Sequence, residues 1–146
     1  MGVGVAVITL LFICIPAFLS APFPESPTFR ITGAIKCSLG VKSWINVTLI
    51  EDDTGEEDPY IEHRNYLLDW FMSARLSLGG RMDDGPFDEE VEPYLRISTN
   101  CTEDGTIKEI CSELPKVSGP SSLEIGLIEA PLFYPLNITT CKPFNS

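Results

Sequence analysis

Phe29, Ile31, Gly33, Ile35 and Cys37 alternate without interruption against Arg30, Thr32, Ala34, Lys36 and Ser38. A two-residue period is what a half-buried β-strand imposes, because successive side chains point to opposite faces of a sheet. After a turn at Leu39-Gly40 the period returns in Ile45, Val47 and Leu49 against Trp44, Asn46 and Thr48, and this parity places Asn46 on the solvent face. It appears again over Tyr94 to Thr99, with Leu95 and Ile97 buried, and in Leu123, Ile125 and Leu127. A turn near Ala130-Pro131 then leads to a last strand through Leu136, Ile138 and Thr140. Repeated short strands separated by turn residues indicate a β-sandwich or barrel. One segment breaks the pattern: Leu68, Phe71, Met72 and Leu76 stand at helical spacing, so periodicity alone favours one short amphipathic helix within residues 60–78. Trp70, Phe71 and Met72 are assigned to the core, since large apolar residues mostly go inside; exposed, they would form a patch that calls for a partner.

The 146 residues suffice for one independent core. Residues 1–21 read as a secretory signal peptide, with no charged side chain from Val3 to Leu19, an apolar run through Ile8, Leu10, Phe12 and Ile15, and small residues at Ala17, Ser20 and Ala21. An uncleaved anchor is the rival reading, but a span needs about 20 apolar residues, and Pro16 shortens this run. Residues 22–27 form a proline-rich leader and residues 28–146 the single domain. The expected location is extracellular, with no stable membrane span after cleavage.

Removing the signal peptide takes Cys14 with it and leaves Cys37, Cys101, Cys111 and Cys141. In an oxidising compartment four cysteines form two disulfides, with three connectivities open from sequence. Pairing Cys101 with Cys111 closes a short loop after one strand, and Cys37 with Cys141 joins the early strand to the C-terminus. This is the expected pairing, although Cys141 shares its parity with the outward Asn137. Zinc would prefer Cys-x-x-Cys spacing, which is absent. Three sequons begin at Asn46, Asn100 and Asn137, each a candidate glycosylation site if exposed. Asn46 and Asn137 are favoured, because in the middle sequon Cys101 stands between acceptor and threonine, where disulfide closure competes with glycan transfer.

Ten basic residues against 21 acidic ones give a formal charge of −11. With no run of lysine or arginine, the chain is not expected to bind nucleic acid or to dock on anionic membranes by charge alone. Glu51 to Asp58 and the stretch Asp83, Asp84, Asp88, Glu89, Glu90 and Glu92 are read as solvated loops, since neither has the spacing that wraps oxygen ligands around calcium. No metal or cofactor is implied. The one histidine, His63, sits between Glu62 and Arg64, and no nucleophile elbow or phosphate-cradling glycine loop appears. The chain is therefore not expected to be an enzyme, which needs a nucleophile, acid or base within reach of its partner.

FRITGAIKC (Phe29 to Cys37), INVTLIEDDTG (Ile45 to Gly55), EPYLRISTNCTEDG (Glu92 to Gly105) and LEIGLIEAPLFYPLNITTC (Leu123 to Cys141) succeed one another in an order that resembles the secreted transthyretin-like proteins of nematodes. Thr99 stands where that family often has histidine, and Gly40-Val41-Lys42 replaces its Gly-Lys-Pro, so the likeness is to a divergent member. The resemblance implies an all-β, transthyretin-like (immunoglobulin-like) sandwich of about seven to eight strands, and it would turn residues 60–78 into strands. The urate-derivative hydrolases that share this fold end in Tyr-Arg-Gly-Ser, whereas this chain ends in Lys-Pro-Phe-Asn-Ser. The expected function is that of a secreted, non-enzymatic binding or signalling protein that presents loops or a groove to a cell-surface component, receptor or hydrophobic ligand. The alternative is a structural or matrix-associated glycoprotein. Transthyretin's hormone channel does not carry over, since fold does not transfer function.

Overall fold

A computed structural model describes residues 28–52, 60–70, 72–82 and 90–141. The segments read as signal peptide and proline-rich leader, most of both acid-rich stretches and Phe71 lie outside the described residues. Eight strands make up the rest: β1 (Thr28–Cys37), β2 (Ser43–Glu51), β3 (Tyr60–Leu68), β4 (Ser73–Arg81), β5 (Pro93–Thr99), β6 (Lys108–Glu113), β7 (Ser121–Ala130) and β8 (Ile138–Thr139). They form a three-stranded sheet in the order β4-β1-β7 and a five-stranded sheet in the order β3-β2-β5-β6-β8. The β1–β7 pair is parallel and every other pair antiparallel. The chain is thus all-β, and its sheets are consistent with a β-sandwich.

The alternating strands behave as their spacing requires. Phe29, Ile31 and Ile35 of β1 meet Ile45, Val47 and Leu49 of β2, Leu95 and Ile97 of β5, and Leu76 and Leu78 of β4 in one buried cluster. Thr99, inward-facing and fully buried, stays satisfied: its hydroxyl donates to the Trp44 carbonyl at 2.6 Å and accepts from the Cys101 amide at 3.0 Å. Phe133, from the segment after β7, completes the core and is fully buried.

Three expectations are corrected. The described residues between 60 and 81 hold no helix; they form β3 and β4, the edges of the two sheets, and the short connection between them. The helical spacing of Leu68, Met72 and Leu76 arises because a strand end, a short connection and a strand start happen to fall four residues apart. Alternation is hidden because Glu62, Arg64 and Tyr66, opposite the inward Leu49, Val47 and Ile45, face inward at the rim, where polar groups find partners. Glu62 Oε2 accepts from the Gly79 amide at 2.7 Å. Tyr66 hydrogen-bonds the Ser77 backbone, and burial pushes its phenol pKa up against the lowering effect of that bond.

The disulfides also differ from the expected pairing, joining Cys37 to Cys101 and Cys111 to Cys141. Face parity is the reason. Cys37 and Cys101 are buried in the core where β1 and β5 end, with Cα atoms 5.8 Å apart, so this bridge ties one sheet to the other. Cys111 lies opposite Arg96 on the outer face of the five-stranded sheet, directly across from Thr139, and Cys141 comes next on the same side. The parity that set Cys141 beside outward groups is thereby satisfied. Lastly, Leu127 is partly exposed, not inward, because β7 bulges at Gly126 (φ +70°) and shifts register against β1. Gly33 makes room for the bulge: a Cβ there would stand 2.6 Å from the Gly126 carbonyl oxygen.

Candidate functional site

The strand register brings four connections to one pole. Cys37 pairs with Ala130, Lys36 with Ser73, Ser43 with Leu68, Ile45 with Thr99, and Thr99 with Lys108. Strands β1, β3, β5 and β7 therefore end, and β2, β4 and β6 begin, at the same end of the molecule. This pole carries an unusual set of side chains: Leu67, near the end of β3, and Trp70, Met72, Ile107, Leu132 and Tyr134 of the closing segments are 65–88% exposed, and Val41 is 44% exposed. This corrects the assignment of Trp70 and Met72 to the core.

Two devices hold these residues outward. Trp70 adopts φ 38°, in the left-handed region that L side chains rarely occupy, and the Met72 amide donates to the Asp69 carbonyl at 3.0 Å to close the turn. In the segment after β7, the Phe133 amide donates to the Glu129 carbonyl and the Glu129 amide to the Tyr134 carbonyl. Phe133 plugs the core from this turn while its neighbours Leu132 and Tyr134 point away. Lys108 sits over the Phe133 ring, 5.6 Å from its centre. The connection between β5 and β6 is held from within. Thr102 donates to the Thr106 carbonyl, and both the amide and the hydroxyl of Thr106 donate to Asp104 Oδ1, which holds that carboxyl below its usual pKa. The pole is thus a set of braced turns carrying apolar tips, with Cys37–Cys101 beneath it.

The candidate glycosylation sites occupy different settings. Asn46 is on the outer face of the five-stranded sheet, as its parity demands, but it is half-buried between Asn65 of β3 and Ser98 of β5, with a buried Oδ1 that has no partner among the described residues. Asn100 is half-buried, and its Oδ1 accepts from the Trp44 amide at 2.8 Å. Asn137 is exposed, just before β8 on the flank of β6. Of the three it offers the most accessible side-chain nitrogen.

Thr48, His63 and Asn65 form the one cluster on this face, among the described residues, with a nucleophile-and-base composition. His63 Nδ1 is 3.0 Å from the Thr48 hydroxyl and Nε2 is 3.3 Å from Asn65 Nδ2. The cluster lies on the outer face of β2 and the edge strand β3. At the opposite pole a small hollow of about 230 Å³ adjoins Cys111 and is lined by Asp52, Glu92, Tyr94, Glu113, Lys116 and Thr139. Its Lys116 is paired with Glu92. Among the described residues no three His, Cys, Asp or Glu side chains converge as metal ligands, and no helix is long and apolar enough to cross a membrane. No protein-family model matches the chain, and no curated protein is significantly similar to it.

The cysteines and sequons are visible as sequence motifs. The apolar pole is not, because its members are scattered over residues 41–134 and only the register shows that they share one end. The hint available is the Trp70-Phe71-Met72 run, which the general tendency of large apolar groups to be buried assigns to the core.

Proposed function

We propose that this chain is a secreted, non-enzymatic binding protein of divergent transthyretin-like type that captures an extracellular or cell-surface protein on its apolar pole. The observation that carries the reading is that Trp70, Met72, Ile107, Leu132 and Tyr134, on three braced turns, and Leu67, near the end of β3, all lie mostly exposed at one end of the molecule. A solvated pole gains nothing from such side chains, whereas aromatic residues and methionine are enriched at protein interfaces, where a few of them supply most of the binding energy. Exposed turn tips suit a protein surface better than a small ligand, which is usually enclosed in a cavity. Two disulfides are compatible with an extracellular setting, and a glycan on Asn137 would keep the flank of β6 hydrated.

The test is attachment of the tagged, glycosylated protein to intact cells. Saturable, competable attachment that Trp70→Ser/Met72→Ser and Leu132→Ser/Tyr134→Ser each weaken supports the reading. Attachment that survives both double variants, or none on any surface tried, refutes it and favours the matrix-associated alternative.

A further inference from the structure

We infer that the outer face of the three-stranded sheet binds a linear sulfated polysaccharide. No lysine or arginine run exists in the sequence, yet the register assembles one in space. Arg81 lies opposite Thr28, Arg30 opposite Gly79, Arg75 opposite Ala34 and Lys36 opposite Ser73, all with the parity that points away from the core. Four of the ten basic residues of a chain with charge −11 thus share the face of two neighbouring strands. Lys36 is paired with Glu129 at 2.6 Å. Arg30, Arg75 and Arg81 are exposed and make no ion pair or hydrogen bond among the described residues. The acids of the same face, Glu124 and Glu129, stand on β7, opposite Thr32 and Lys36 of β1 and across β1 from β4.

At one end the stripe opens into a groove of about 640 Å³ between the edges of the two sheets. Arg30, Arg64, Arg81, Ser77 and Ser121 line it together with Glu62. The carboxylate of Glu62 is already engaged, accepting from Arg64 Nε at 2.7 Å and from the Gly79 amide, so it fixes Arg64 at the groove wall. The Ser121 hydroxyl lining the groove has no partner among the described residues.

The form of the site selects its ligand. Exposed arginine forks bind sulfate, phosphate and carboxylate groups through paired, charge-assisted hydrogen bonds. Arg75 and Arg81 are six residues apart on one strand, about 20 Å at the usual rise. Cations spread along an open line suit a polymer with repeated anions better than one enclosed phosphate. Thr28, Thr32, Ser73, Ser77 and Ser122 share that face, supplying hydroxyl partners for sugar oxygens, and no aromatic side chain does, so stacking platforms for the bases of a single nucleic-acid strand are missing. At physiological salt the screening length is about 8 Å, so the charges nearest the stripe weigh most on an approaching chain, and Arg75 and Arg81 stand on β4, separated by β1 from Glu124 and Glu129 of β7.

The probe is a size-defined heparin octasaccharide, titrated against the full chain produced with its disulfides at physiological ionic strength. Saturable binding is expected to fall by about tenfold or more in Arg30→Gln/Arg75→Gln/Arg81→Gln, and to remain within about twofold in Lys42→Gln/Lys108→Gln/Lys116→Gln, which changes net charge equally. An Arg30→Lys/Arg75→Lys/Arg81→Lys variant, conservative in charge, separates loss of the fork from loss of fold and should bind with intermediate affinity. The double variants of the apolar pole should bind the octasaccharide normally, so failure here is distinguishable from failure of the proposed function. No saturable binding, equal loss in both triple variants, undiminished binding of a desulfated octasaccharide, or equal affinity for a single-stranded oligonucleotide would each overturn the inference.

Discussion

Trp70 offers an unusual test, because at this position glycine and alanine should rank opposite to their normal order. Its backbone sits at φ 38° while its side chain is 71% exposed, so truncation removes little buried surface. The left-handed conformation costs an L residue about 1–2 kcal/mol, and alanine keeps that cost while glycine does not. Against this, glycine ordinarily loses about 0.5–1 kcal/mol to alanine through its freer unfolded chain. The balance makes Trp70→Gly more stable than Trp70→Ala by about 0.5–1 kcal/mol, or roughly 2–5 °C in melting temperature for a domain of this size. Urea unfolding of both variants with a common slope measures the difference directly. Both should lose attachment to cells equally, since each lacks the indole. If Trp70→Ala proves as stable as Trp70→Gly or more so, the backbone here is relaxed, and the claim that the fold tolerates strain to display this ring is wrong.

Other consequences are open to measurement. Replacing Cys37 and Cys101 by alanine releases a sequence separation of 64, and replacing Cys111 and Cys141 one of 30; chain entropy gives about 4 kcal/mol for each. The first pair should cost more, since it also leaves a gap in the core, and non-reducing peptide mapping should recover a Cys37–Cys101 linked peptide. Gly33→Ala should destabilise by about 1–3 kcal/mol, since its methyl group would meet the Gly126 carbonyl and push β7 from β1; calorimetry reads the loss. Hydrogen bonds from Arg96 Nε and Nη2, at 2.7 and 2.9 Å, hold the Glu109 carboxyl below its usual 4.5. Because the folded value is the depressed one, this contribution is complete above 4.5 and is lost as pH falls through the folded value. Glu109→Gln should therefore flatten the acid side of a plot of urea midpoint against pH, and an unchanged acid slope would refute the link.

Strands β1, β2 and β5 are legible because each has one face against the core and one toward solvent, so burial writes alternation directly into Phe29 to Cys37, Ile45 to Leu49 and Tyr94 to Thr99. Edge strands lack that constraint. In β3 the inward positions hold Glu62, Arg64 and Tyr66; Glu62, besides holding Arg64, bonds Gly79, and Tyr66 bonds Ser77, both in another sheet and 11 or more residues away in sequence. No local period records such a partner. The cysteines announce two bridges, but pairing depends on which face each occupies, and Cys101 lies just beyond the end of β5. Both proposed surfaces are illegible for one shared reason: only register brings Trp70 and Leu132 to one end of the molecule and Arg30 and Arg75 to one sheet face.

The covalent connectivity bears on how the chain is made. The four bridged cysteines, Cys37, Cys101, Cys111 and Cys141, join in consecutive pairs, in the order in which they leave the ribosome. The earlier ring can be sealed while β7 is still unsynthesised, so no wrongly matched intermediate has to be reshuffled. It then remains for β7 to slide in alongside β1 and for the C-terminal clasp to latch over β6.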